Sequence, residues 1–157
     1  MNAKMSELKR AFEGAGFSDV RTLLSSGNVV FSAPKAANGS LQRRAESAMQ
    51  SALGRTFMTF VRPVDELIAL LESDPYSRFR LSPKAKRVVT FLHVEPKPKP
   101  RLPVEQGEAR ILALRGKEAF SVYVSGPDGP LFMTLLEKTF GKEITTRTWD
   151  TVKKAAK

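Results

Sequence analysis

Arg87-Val88-Val89-Thr90-Phe91-Leu92-His93-Val94 is the stretch on which the fold turns. It is short, apolar, and dominated by β-branched and aromatic residues, which predicts a strand. Downstream, Ala109 to Leu114 and Ala119 to Val124 have the same character on either side of Arg115-Gly116-Lys117-Glu118, so they predict a hairpin. The turn residues Gly126-Pro127-Asp128-Gly129-Pro130 lead into a helical spacing of Leu131, Phe132, Leu135, Leu136 and Phe140, stopped by Gly141. Ile144 to Arg147 predicts a last short strand. Thr148 then caps a helix from Trp149 to Lys157 whose Lys153 and Lys154 suit its C-terminal dipole end.

The same order stands upstream. Met5, Leu8, Phe12 and Ala15 line one helix face, which Gly14 and Gly16 end. Val20 to Leu24 and Val29 to Ser32 predict a hairpin closed by Ser25-Ser26-Gly27-Asn28, and Pro34 to Ser40 reads as a loop. A helix from Leu41 to Leu53 ends at Gly54, and the apolar Thr56 to Val61 reads as an inner strand. Pro63, Asp65 and Glu66 open a further helix that buries Leu67, Ile68, Leu70 and Leu71 and closes at Pro75. Both halves thus hold a hairpin, a helix and a short strand, as in a β-α-β-β-α-β unit. The first half has no counterpart to the strand at Arg87.

The 157 residues suit one domain or two small fused halves, and 41% hydrophobic content is enough for a core without staples. With no cysteine, a disulfide framework and a cysteine zinc site are excluded. No apolar run approaches the roughly 20 residues of a membrane span, and the first residues lack a signal-peptide pattern. The expectation is a cytoplasmic protein without membrane contact.

Charge is the unusual bulk property: 26 Lys and Arg against 16 Asp and Glu give +10. Residues 1–78 carry ten basic and eight acidic side chains (net +2), and residues 79–157 carry sixteen and eight (net +8). Arg80, Lys84, Lys86, Arg87, Lys97, Lys99 and Arg101 form the densest part, with Glu95 as the acidic residue among them. The last three sit in Glu95-Pro96-Lys97-Pro98-Lys99-Pro100-Arg101, which should be extended and exposed. Such asymmetry points to nucleic acid or another polyanion, bound through phosphate neutralisation. Phe91, Phe120 and Tyr123 are the strand aromatics available to an RNA-binding sheet, although no ribonucleoprotein motif is present.

Motifs for catalysis are absent. Gly14-Ala15-Gly16 ends a helix, Gly116-Lys117 sits in a hairpin, and there is no nucleophile elbow. His93 and Glu95 fall on one strand face, a spacing that suits a general base but is met more often in a packed histidine. No metal and no cofactor is expected. The alternative to a non-enzymatic polyanion binder is a small enzyme or small-molecule-binding protein that uses a cleft between the halves, with Ser26, Gly27, Asn28, Arg147 and Trp149 as its candidate residues. The turn offers amides to an anion, while Arg147 and Trp149 offer a cation and a ring. For Trp149, anchoring the last helix in the core is the preferred role.

Gly16-Phe17-Ser18-Asp19-Val20-Arg21-Thr22, with Ser26-Gly27-Asn28-Val29-Val30-Phe31, resembles the signature of the bacterial family called domain of unknown function 1697. Thr146-Arg147-Thr148-Trp149-Asp150-Thr151-Val152 resembles its second motif. The resemblance implies an α+β protein of two ferredoxin-like halves with antiparallel sheets, residues 1–62 and 63–157, packed as one unit. It brings no activity. Members of that family open with an apolar strand and a glycine-rich turn, which the residues ahead of Met5 do not contain. A misplaced start, a truncation or a strand from another chain would each account for this, the last by self-association through an incomplete sheet.

Overall fold

The computed structural model describes residues 3–23, 27–126 and 129–157. The chain is mixed α/β with antiparallel sheets and divides into two compact units, Met1–Leu67 with Lys154–Lys157, and Ile68–Lys153. The division falls at Leu67, inside the third helix.

The first unit is built around helix α1 (Met5–Gly14), the ribbon β1 (Ser18–Leu23) and β2 (Asn28–Ser32), and helix α2 (Asn38–Leu53). Leu8 and Phe12 of α1, Val20 of β1, and Ala45 and Met49 of α2 are buried together with Phe17. Each comes from the apolar face that its period predicts. Phe17 lies 4.4 Å from Phe31 and 5.5 Å from Phe12, ring centre to ring centre, and carries the Arg44 guanidinium over its face at 4.5 Å.

Helix α1 stops by a double hydrogen bond. Phe17 N–H donates to Phe12 C=O and Gly16 N–H to Glu13 C=O, with Gly16 left-handed at φ 92°. A Cβ at Gly16 would stand 2.6 Å from the Arg44 guanidinium, which is itself held by two hydrogen bonds to Ala15 C=O. Gly16→Ala is therefore expected to destabilise the protein by about 1–2 kcal/mol, read as a lower urea midpoint at unchanged slope.

Thr56–Val61 was expected as an inner strand, and the structure corrects this: residues 55–63 hold no strand. Thr59 N–H donates to the Glu46 carboxylate of α2 at 3.3 Å, so a side chain accepts where a strand neighbour would. Phe57 still packs on the first core, while Met58 is 51% exposed.

Helix α3 (Val64–Ser73) starts on the Pro63 carbonyl, which accepts from Glu66 and Leu67 N–H. The second unit's sheet has the order β4-β5-β6-β3-β7, comprising β3 (Ala85–Leu92), β4 (Val104–Gln106), β5 (Ala109–Arg115), β6 (Glu118–Val124) and β7 (Ile144–Thr148). All neighbours run antiparallel. The connection from β3 to β5 carries the edge strand β4 and no helix. β4 escapes a sequence reading because two of its three residues, Glu105 and Gln106, are polar.

Helix α4 (Gly129–Phe140) packs Phe132, Leu135 and Leu136 onto Val88, Ala109 and Ile111. On the opposite face, the segment after α3 crosses the sheet. Arg115 donates to Ser73 Oγ at 2.8 Å, Tyr76 lies on Phe120, and Arg110 donates to the Arg80 carbonyl at 3.3 Å. Helix α5 (Trp149–Ala155) starts as predicted, with Thr151 N–H donating to Thr148 Oγ1 at 3.2 Å.

Candidate functional site

Ser82 sets the entrance to β3. Its hydroxyl accepts from Lys84 N–H at 3.2 Å and its carbonyl from Ala85 N–H at 3.0 Å. That turn presents Arg80 and Lys84 ahead of the strand, and Lys86 and Arg87 inside it. Alternation then sends Lys86 and Arg87 to opposite sheet faces. Lys86 is opposite Tyr123 of β6, and its ammonium lies 5.9 Å from the Tyr123 ring centre. Arg87 is opposite Val122, which is opposite Arg110 of β5, so the two arginines share one cross-strand row. The Arg87 guanidinium lies 5.7 Å from the Tyr76 ring centre.

Lys97, Lys99 and Arg101 sit beyond the other end of β3. Eight strand residues span about 23 Å. The segment bends at residues 93–94 and 97–98 and delivers the chain to β4, three strand positions from β3, or about 14 Å. The seven cations are all exposed, as the sequence predicts for Lys97, Lys99 and Arg101, and they fall into two groups toward the two ends of β3. Among the described residues, no carboxylate pairs with any of the seven. Arg110 is tied back by Glu105, Nε to Oε1 at 3.0 Å. Its place beside Arg87 depends on strand register, which the sequence alone does not show.

The strand aromatics separate sharply. Phe91 is 8% and Phe120 0% exposed, and Tyr123 is half-buried. An open aromatic sheet face of the RNA-binding kind is therefore not formed by these three residues.

Of the small-molecule candidates, Ser26 lies outside the described residues. Gly27 has φ 86°, and Asn28 Nδ2 donates to the carbonyl of Leu23, its cross-strand partner, at 3.0 Å. Arg147 donates to Thr145 Oγ1 and Thr146 C=O, both at 2.7 Å, and burial lowers its pKa. Trp149 is buried, edge-on to Tyr76 at 5.1 Å. Asn28 belongs to the first unit, and Arg147 and Trp149 belong to the second.

His93 stands in a bend after β3, and its Nδ1 lies 3.9 Å from Glu143 Oε2. Among the described residues no group of three His, Asp or Glu side chains is placed to hold a metal ion, and no helix is long and apolar enough to cross a membrane.

No curated protein matches the chain. Among solved structures, it is similar to the conserved bacterial protein SP0830 from Streptococcus pneumoniae. That similarity has 18% identity and a TM-score of 0.66, and covers 99% of this chain and 88% of that one. At that identity the likeness concerns the fold. The profile of the family described as Protein of unknown function (DUF1697) matches residues 1–120 and leaves the Thr146–Val152 motif outside the match. Since that match spans three quarters of the sequence, the chain belongs to this family, DUF1697.

Proposed function

We propose that the second unit binds nucleic acid by neutralising backbone phosphates with Arg80, Lys84, Lys86 and Arg87, extended by Lys97, Lys99 and Arg101. The observation that carries this reading is that seven exposed cations lie around one strand with no carboxylate paired to them among the described residues. A surface cation with no carboxylate paired to it gives up little on meeting a phosphate, and the released counterions drive association. We further read this unit as a ferredoxin-like half. In support, β5-β6-β3-β7 is the strand order of a β-α-β-β-α-β unit, with the proline-rich connection and β4 in place of its first helix.

The test is an anisotropy titration with labelled single-stranded and duplex DNA and RNA over a range of salt. Affinity should fall linearly in log–log form, with a slope of about −0.9 per phosphate on duplex DNA and −0.7 on single strands. No association at low salt ends the reading.

A further inference from the structure

We infer that the preferred ligand of this surface is single-stranded nucleic acid, with one base stacked on Tyr123; this rests on the polyanion reading above. A stacking platform needs a rigid ring with accessible surface, placed beside cations that hold the adjoining phosphates. Tyr76, Phe91, Phe120 and Trp149 are all buried, which removes them as platforms. Tyr123 is half-buried, one residue from the end of β6.

Its ring is braced from behind. Phe132 of α4 stacks on it at 4.6 Å with 16° between planes, and Phe132 is itself 4% exposed within the core under α4. Cross-strand register places Tyr123 directly opposite Lys86, two residues after Lys84. The Lys86 ammonium rests against the ring at 5.9 Å, a long and exposed cation–π contact that a stacked base can displace. Released, the ammonium reaches the phosphate of the same nucleotide. Phe132, Tyr123 and the base would then form a continuous stack, with Lys84 and Lys86 along its backbone.

This arrangement discriminates by strandedness. In a duplex both faces of every internal base are already stacked, so Tyr123 adds nothing and the cations alone act. In a single strand the base face is available at small cost, and any of the bases serves.

The experiment compares wild type, Tyr123→Leu and Tyr123→Phe on a labelled oligothymidylate and a duplex of equal length. Tyr123→Leu should lose about tenfold in single-strand affinity and change duplex affinity by less than about twofold, with the salt slope kept. Tyr123→Phe should bind as wild type. Equal losses on both ligands, or no loss on either, overturn the inference and leave the polyanion reading standing. A wild type that binds neither ligand overturns both. Because Tyr123 also packs on Phe132, ultraviolet crosslinking of the wild type to the oligothymidylate gives a second readout. The adduct should map to the peptide holding Tyr123, and an adduct elsewhere, or none, overturns the inference.

Discussion

Tyr76→Ala is expected to lower the unfolding free energy by about 3–5 kcal/mol, the usual cost of deleting a buried aromatic ring. Tyr76 is 1% exposed and links three elements of the second unit. Its ring meets Phe120 of β6 edge-on at 5.9 Å and Trp149 of α5 at 5.1 Å, and its hydroxyl donates to Val88 C=O of β3 at 2.6 Å. Such aromatic pairs add to the area they bury. Tyr76→Phe keeps the ring and should cost about 1–2 kcal/mol, the price of leaving Val88 C=O without its donor. A urea midpoint for Tyr76→Ala within error of wild type would contradict the placement.

The same residue sets a pH dependence. Burial pushes the Tyr76 phenol well above the usual tyrosine range, against the opposing effects of the Ser121 backbone and the Arg87 charge. A pKa raised on folding means that the contribution is fully present below the unfolded value near 10 and is lost as pH climbs past it. Stability should therefore decline above about pH 10, by up to about 1.4 kcal/mol per unit from this one group. Tyr76→Phe, weaker at neutral pH, should show a shallower decline. A decline of equal steepness in both proteins would assign it to other groups.

The variant Lys84→Glu/Lys86→Glu/Arg87→Glu is expected to lose at least about 100-fold in affinity for single strands at about 0.1 M salt. Each neutralised phosphate shifts log affinity by about 0.7 per decade of salt, so three lost contacts remove about two log units between 1 M and 0.1 M. Reversed charge adds repulsion to that loss. The slope should fall by about 2 in the same experiment. All three side chains are exposed, so the fold should survive the change. Unchanged affinity and slope would show that the charge of this face is not used. The matching change at Lys97, Lys99 and Arg101 tests the second group separately, since the strand β3 intervenes between the two.

Most elements are legible in the sequence. The β5–β6 hairpin, the helix α4 and the Thr148 cap follow from runs and turn residues that act over a few positions. The strand expected at Thr56–Val61 shows the limit of such reading. An apolar, β-branched run predicts a strand only if a neighbouring backbone is there to pair with it, and here the Glu46 carboxylate takes the Thr59 amide. β4 shows the reverse case, because three mostly polar residues become a strand when β5 lies beside them.

For the candidate site the division is similar. Composition and order along the chain were enough to single out Arg80 to Arg101, since net charge needs no geometry. Local chemistry likewise sufficed for the helix ends, where Gly16 and Thr148 act on amides within a turn. Tertiary structure alone decided that the seven cations form two groups, that Arg87 shares a row with Arg110, and that Tyr123 stays partly open while Phe91 and Phe120 are buried. The reason is physical: a strand's alternation says which residues share a face, but only register and the elements packed above say which face is covered.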